Sequence, residues 1–129
     1  MYHHRPEGGF YVILIVGGAY SGKFDYAVSK LGFSKEDISS DIKSDAAVLS
    51  DLHCLLRDTE DIDRIMPMLL EKKAVICDEV GCGIVPAEHA DRLWRERVGR
   101  VCCLLAEQAE VVVRLNCGIA SVIKGEILP

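Results

Sequence analysis

A glycine-rich segment near the start of the chain carries the residue types that bind phosphate. It matches the pattern G-x-x-x-x-G-K through Gly17, Gly22 and Lys23. In such loops the glycines let backbone N–H groups turn toward phosphate oxygens, and the lysine reaches the outer phosphates. We therefore predict that this segment binds the phosphates of a nucleotide. Its residues are Gly17, Gly18, Ala19, Tyr20, Ser21, Gly22, Lys23 and Phe24.

Phe24 departs from the pattern. The position after the lysine is ordinarily Ser or Thr, whose hydroxyl group holds Mg²⁺ beside the phosphates. A phenyl ring offers the metal no ligand. The segment therefore favours nucleotide binding and leaves phosphoryl transfer open.

Acidic residues follow two apolar runs farther along the chain. Asp51 follows residues 46–50, and Asp78 and Glu79 follow residues 74–77. A carboxylate at the end of a strand can hold Mg²⁺ or a metal-bound water. Asp51 suits a helix N-cap equally well, and the acids at 78–79 suit a simple turn into the glycine-rich segment 80–86. His53, two residues after Asp51, could face the same edge and take part in proton transfer, but a histidine here is more typically on the surface or has its hydrogen bonds satisfied.

From these patterns we predict a set of candidate site residues. Lys23, Asp51 and Glu79 are the candidate catalytic residues. Asp51 is also the candidate metal ligand, for Mg²⁺. The nucleotide itself would be ATP or GTP.

The positions of apolar residues predict the elements that hold this site. Strands are expected at 11–16, 46–51, 74–79 and 111–115, with a last short strand at 120–123. Helices are expected at 22–31, 60–73 and 87–109, with a helical turn at 52–57 and a kink or break at Pro67. Residues 34–44 are expected to form a loop with one helical turn. Alternating strands and helices indicate a parallel sheet flanked by helices, whose ligands bind at the carboxyl edge of the strands.

Composition places the chain among single-domain globular proteins. It has 129 residues, of which 50% are hydrophobic and 27% charged, with a net charge of −5. The absence of a basic stripe argues against nucleic acid, and the apolar run at 10–16 is too short to cross a membrane. We expect a cytoplasmic protein with a flexible lead-in over residues 1–9. Six cysteines without a C-x-x-C pair are expected to be free and mostly buried thiols.

Several motifs resemble one known family. Residues 78–86, D-E-V-G-C-G-I-V-P, resemble the N-E-V-G-x-G-I-V-P signature of the cobinamide kinase/cobinamide-phosphate guanylyltransferase family. Residues 97–101 and 118–124 resemble its a-G-R-v-N-Q and G-I-P…K segments, and residues 17–23 resemble its G-G-A-R-S-G-K-S loop. The resemblance implies a RecA-like P-loop NTPase fold that is often trimeric. It also implies phosphorylation of adenosylcobinamide by ATP or GTP, followed by GMP transfer through a guanylylated histidine.

The chain departs from that family at several positions. Tyr20 stands where the family has Arg, Phe24 where it has Ser, and Asp78 where it has Asn. Cys102 and Cys103 replace Asn-Gln. The segment between Lys23 and Asp51 is short and contains no histidine, so the guanylylated nucleophile has no counterpart at its usual position.

Two main hypotheses follow from the sequence. The chain is either a shortened homologue that retains the nucleotide site, or a catalytically inactive partner protein that binds a nucleotide or a corrinoid on the same fold. A P-loop phosphotransferase for another small molecule is a third, weaker reading. The resemblance also implies a homo-oligomer.

Overall fold

The computed structural model describes residues 11–80 and 88–127. The predicted lead-in at 1–9 and most of the glycine-rich segment 80–86 therefore lie outside the described residues. The described elements, in chain order, are β1 (Ile13–Gly17), α1 (Lys23–Ser29), a 3-10 turn (Lys35–Asp37), β2 (Ile38–Ser39), β3 (Val48–Leu49), α2 (Leu52–Asp58), α3 (Ile62–Leu70), β4 (Ala74–Asp78), α4 (His89–Gln108), β5 (Val111–Asn116) and β6 (Ile119–Lys124).

The strands form one mixed sheet in the order β2-β3-β4-β1-β5-β6. The five strands from β2 to β5 run parallel, and β1 lies at the centre with Ile15 paired to Ile76 on β4 and to Val113 on β5. The predicted α/β fold with flanking helices is confirmed. Because β1, β3 and β4 are parallel, their carboxyl ends meet at one edge of the sheet.

The last strand corrects the expectation of a wholly parallel sheet. β6 pairs antiparallel with β5, and the turn between them has positive φ at both Cys117 (51°) and Gly118 (77°). Positive φ at both central residues is the conformation of a type I′ hairpin turn. A parallel neighbour would need a crossover of a dozen or more residues, which a two-residue connection cannot provide.

Both faces of the sheet are buried. Along β1, Leu14 and Val16 pack into a core cluster with α2, α3 and α4, whereas Ile13 and Ile15 pack into a second cluster with α1. Parallel sheets are normally covered by helices on both faces, and these two clusters show the same arrangement.

Three details differ from the expected elements. Residues 34–44 were expected to lack a strand but contain β2, in which Ile38 pairs with Val48. A two-residue strand is too short to leave a periodic pattern. α3 is shorter than predicted and continues through Pro67 as one helix. Residues 52–58 form a seven-residue helix instead of a single turn.

None of the helices within 11–80 and 88–127 is long and apolar enough to cross a bilayer.

Candidate functional site

An open cleft of about 630 Å³ lies at the carboxyl edge of the central strands. It brings together the loop after β1, the start of α1 and the ends of β3 and β4. Its lining residues within the described chain are Ala19, Tyr20, Ser21, Gly22, Lys23, Phe24, Asp25, Ser50, Asp51, Ile76 and Asp78.

The loop after β1 has a conformation suited to anions. Tyr20 and Gly22 have positive φ values of 58° and 96°, whereas Ser21 between them does not. Alternating signs of φ are characteristic of backbone nests, in which successive N–H groups bind an anion. Ser21 N–H also donates to Gly18 O at 3.2 Å, which closes a tight turn at the start of the loop.

Gly17 is required by its surroundings. A Cβ atom at this position would lie 2.6 Å from the carbonyl oxygen of Leu115 and 2.5 Å from Ser21 Oγ. Both distances are below any ordinary contact, and the Leu115 oxygen belongs to the backbone of the neighbouring strand. The loop can therefore leave β1 along this path only with glycine at its first position.

The β5–β6 turn supports the other end of the loop. The Gly118 N–H donates to the Ser21 carbonyl at 2.9 Å. A Cβ atom on Gly22 would lie 3.2 Å from Gly118 Cα. The candidate phosphate loop is thus held between its own strand and the turn of the terminal hairpin.

Lys23 is buried, with 7% of its side chain exposed. Its Nζ donates to Gly18 O at 2.6 Å and to Ser21 Oγ at 3.3 Å, and lies 2.8 Å from Asp78 Oδ1. The ammonium group is therefore held beneath the loop by two loop oxygens and one carboxylate. This position at the bottom of the cleft is suited to a group that contacts the outer phosphates of a nucleotide.

His53 contacts Asp78 twice. Its Nδ1 accepts a hydrogen bond from the Asp78 backbone N–H at 3.1 Å, and its Nε2 lies 3.4 Å from Asp78 Oδ2. The indole Nε1–H of Trp94 donates to the His53 carbonyl at 2.7 Å. The sequence reading of His53 as a histidine with satisfied hydrogen bonds agrees with these contacts. The sequence did not indicate that His53 contacts Asp78, which in turn contacts Lys23. These contacts depend on where α2 begins relative to β4, which the sequence pattern does not give.

The two other predicted acids occupy different environments. Glu79 pairs through both carboxylate oxygens with Nε and Nη2 of Arg114, each at 3.0 Å, and it does not line the cleft. Asp51 lines the cleft, has a φ of 55° and precedes α2 without a side-chain capping bond. The structure thus brings Lys23 and Asp51 to one cleft and places Asp78, which was not in the predicted catalytic set, in contact with the lysine.

Metal binding would have to use carboxylates of this cleft. Within the described residues, no group of three or more His, Cys, Asp or Glu side chains is arranged to hold a metal ion. Mg²⁺ commonly binds through one or two carboxylates together with substrate phosphates and waters, so Asp51 and Asp78 fit that requirement. Phe24 contributes no ligand, and its ring is 41% exposed in the cleft.

The cysteines differ from the expectation of mostly buried thiols. The five cysteines that the structure describes are free, but only Cys77 is buried. The hydrogen bond between the Cys77 and Cys102 thiols raises the pKa of Cys77 and lowers the pKa of Cys102, and burial raises the pKa of Cys77 further. Exposed cysteines occur on α2, on α4 and in the β5–β6 turn, where solvent-facing positions tolerate a small side chain.

Comparison with protein families settles the relationship suggested by the motifs. The profile described as cobinamide kinase / cobinamide phosphate guanyltransferase matches residues 46–123, which is more than half of the chain. The chain belongs to this family. The matched range includes Asp51, Asp78 and Glu79 and begins after the Gly17–Lys23 loop. A search of curated proteins gave no match.

Membership of the cobinamide kinase / cobinamide phosphate guanyltransferase family implies a role in cobalamin biosynthesis. The resemblance inferred from residues 78–86 and 97–101 is therefore confirmed. The family acts on cobinamide and on nucleotides. Cobinamide and nucleotides are therefore the two classes of ligand whose binding to the cleft should be tested.

Proposed function

We propose that this chain binds ATP or GTP with the nucleotide phosphates on the Gly17–Lys23 loop. The observation that carries this function is the buried Lys23 ammonium beneath a loop of alternating backbone conformation. Asp51, which lines the same cleft, would hold Mg²⁺ together with the phosphates. Glu79 is retained as a candidate catalytic residue, in its ion pair with Arg114. The site of action would be the cytoplasm, where both nucleotides are abundant.

Within the family's two reactions, we propose that guanylyl transfer is lost. The segment between Lys23 and Asp51 contains no histidine. Nδ1 of His53 accepts the Asp78 backbone N–H, so the proton of the neutral ring lies on Nε2 and neither nitrogen offers a free lone pair to a phosphorus atom. A nucleophilic histidine needs an unengaged nitrogen lone pair.

The remaining enzymatic role would be phosphorylation of adenosylcobinamide. In that reaction Lys23 would stabilise the transferring phosphoryl group, and the loop amides would hold the adjacent phosphates. The alternative is a catalytically inactive partner protein that binds a nucleotide or a corrinoid. Phe24 favours this alternative, because it presents a phenyl ring where a hydroxyl group would hold Mg²⁺.

Calorimetric titration tests nucleotide binding. We expect the wild-type protein to bind ATP or GTP, and Lys23→Ala to bind at least about tenfold more weakly, because it loses a charge-assisted hydrogen bond to phosphate. Lys30→Ala removes an exposed lysine just beyond α1 and serves as the matched control. Equal affinity of wild type and Lys23→Ala would remove the loop from the binding site.

A turnover assay separates the enzyme from the binding protein. Nucleoside diphosphate released only when adenosylcobinamide is present, and lost in Lys23→Ala, supports the kinase. Nucleotide binding without turnover supports the inactive partner. Turnover that requires another small-molecule acceptor supports a phosphotransferase of different specificity.

A further inference from the structure

All three hydrogen-bond donors of the Lys23 ammonium have acceptors within the protein. An ammonium group carries three N–H donors, and Nζ lies within 2.6 to 3.3 Å of Gly18 O, Asp78 Oδ1 and Ser21 Oγ. The side chain is 7% exposed, which leaves little access for water. A phosphate oxygen can bond to this ammonium only by displacing one of the three acceptors.

Asp78 differs from the other two acceptors because it is charged. Hydrogen bonds between ionised partners are about twice as strong as those between neutral groups. Its carboxylate is 23% exposed and lines the cleft. An anion that binds Lys23 must therefore replace the strong ion pair between Lys23 and Asp78. It is also repelled by the negative charge of the Asp78 carboxylate.

His53 lies against the carboxylate of Asp78 and accepts a hydrogen bond from its backbone. Because Nδ1 accepts the Asp78 backbone N–H, the proton of the neutral ring lies on Nε2, which faces Asp78 Oδ2 at 3.4 Å. The other oxygen of the same carboxylate faces Lys23. The hydrogen bond from Trp94 to the His53 carbonyl ties this arrangement to α4. His53 is accordingly a positioning residue that acts through Asp78.

We propose that Asp78, held by His53, is an internal counter-ion of Lys23 that competes with phosphate for the lysine. It lowers the affinity of the cleft for polyphosphate groups, including those of nucleoside triphosphates and inorganic triphosphate. This inference rests on the proposed function, since it concerns the same cleft. It makes Asp78 a determinant of how tightly the site holds an anionic ligand.

Removing the charge of Asp78 tests the competition directly. Asp78→Asn keeps the size of the side chain and one acceptor oxygen. We expect it to bind ATP, GTP and inorganic triphosphate about tenfold more tightly than wild type in metal-free buffer, which corresponds to about 1.4 kcal/mol. Asp78→Ser also removes the charge and should likewise raise the affinity, so it replaces Asp78→Asn if the amide perturbs folding. Thermal unfolding of each variant shows whether it is folded.

Three further variants separate the Lys23–Asp78 contact from the general negative charge of the cleft. Asp25→Asn removes a carboxylate that lines the same cleft and is not among the three acceptors of Lys23, so it should change affinity less than Asp78→Asn. His53→Ala should give part of the gain, because it frees the Asp78 carboxylate to move. His53→Gln, which restores a side-chain donor, should return affinity toward the wild-type value.

A second measurement needs no nucleotide. Trinitrobenzenesulfonate labels only deprotonated and accessible amines, and peptide mass analysis reports the labelling of Lys23 alone. Asp78→Asn should label Lys23 several-fold faster than wild type or Asp25→Asn, because the amine has lost the carboxylate that holds it in its buried position and becomes more accessible to the reagent.

The outcomes distinguish this inference from the proposed function. Tighter phosphate binding together with faster labelling supports the counter-ion. Lys23-dependent nucleotide binding that Asp78→Asn leaves unchanged or weakens overturns the competition and leaves the proposed function standing. Faster labelling with no nucleotide binding by any variant overturns the proposed function, and the competition with phosphate is overturned with it.

Discussion

Phe24 is the single residue that most directly opposes metal-assisted chemistry. Its ring is 41% exposed and lines the same cleft as Lys23 and Asp51. A hydroxyl group here would complete the loop pattern that binds Mg²⁺ beside phosphate. We expect Phe24→Ser to gain nucleotide affinity on addition of Mg²⁺, by about tenfold, measured by calorimetry with and without the metal.

Phe24→Ala is the control for this gain. It removes the ring without adding an oxygen ligand, so its affinity should be insensitive to Mg²⁺. A Mg²⁺ response of equal size in both variants would show that the ring merely obstructs the cleft. No response in Phe24→Ser would mean that the metal site needs more than the missing hydroxyl.

The individual site residues were predictable to different degrees. The G-x-x-x-x-G-K spacing made Lys23 a candidate because it is a local pattern that needs no tertiary information, and the structure places Lys23 in the cleft. Asp78 was recognised as an acid at a strand end, yet Glu79 was preferred for catalysis. The choice between adjacent acids depends on which way β4 turns its last side chains, and Arg114 on β5 pairs with Glu79. Glu79 and Arg114 are far apart in the sequence, so no local pattern indicates that they form an ion pair.

The loop between β1 and α1 is the element whose shape depends most on glycine. We expect Gly17→Ala to lower the free energy of unfolding by about 1–3 kcal/mol, because the added methyl group meets backbone of β5 at 2.6 Å. Urea denaturation monitored by circular dichroism measures this loss.

Gly18→Ala is the matched control, since a Cβ atom there meets nothing within 4 Å and the residue has no positive φ. Its effect should stay within about 0.5 kcal/mol. Equal losses for the two variants would mean that the close approach at Gly17 relaxes at little cost.

At the level of elements, long apolar runs were sufficient to predict β1, β4 and β5, and a long amphipathic pattern predicted α4. The short strands were predicted less completely: β3 lies within the strand expected at 46–51 but is shorter, and β2 was missed. β2 and β3 are two residues each, and their pairing is determined by neighbours that are distant in sequence. β6 was expected as a strand, but its direction was not predicted. The antiparallel direction follows from the two-residue turn at Cys117 and Gly118, whose positive φ values are seen only in the structure.

The whole molecule exposes apolar residues along one edge. β6 is an edge strand whose residues are all exposed, including Ile119 at 72% and Ile123 at 62%. Exposed edges that carry apolar side chains tend to pair with other chains. We expect light scattering to give a solution mass above the 14.2 kDa of one chain, in agreement with the oligomer that the family resemblance implies.

Ile123→Lys should shift that mass toward a single chain, because a charge on the edge opposes pairing. Leu93→Lys changes an exposed apolar residue on α4 and should leave the mass unchanged. A single-chain mass for the wild-type protein at all concentrations tested would contradict the prediction.

The contact between the β5–β6 turn and the phosphate loop also bears on the order of events during synthesis. Gly118 donates its N–H to Ser21, far earlier in the chain. Translation proceeds from the N-terminus, so residue 21 is synthesised well before residue 118. The loop, which is synthesised before the hairpin, therefore gains this hydrogen bond only after the hairpin has been made. A nascent chain that stalls before Gly118 would carry the whole G-x-x-x-x-G-K motif and still lack the hydrogen bond that holds it in shape.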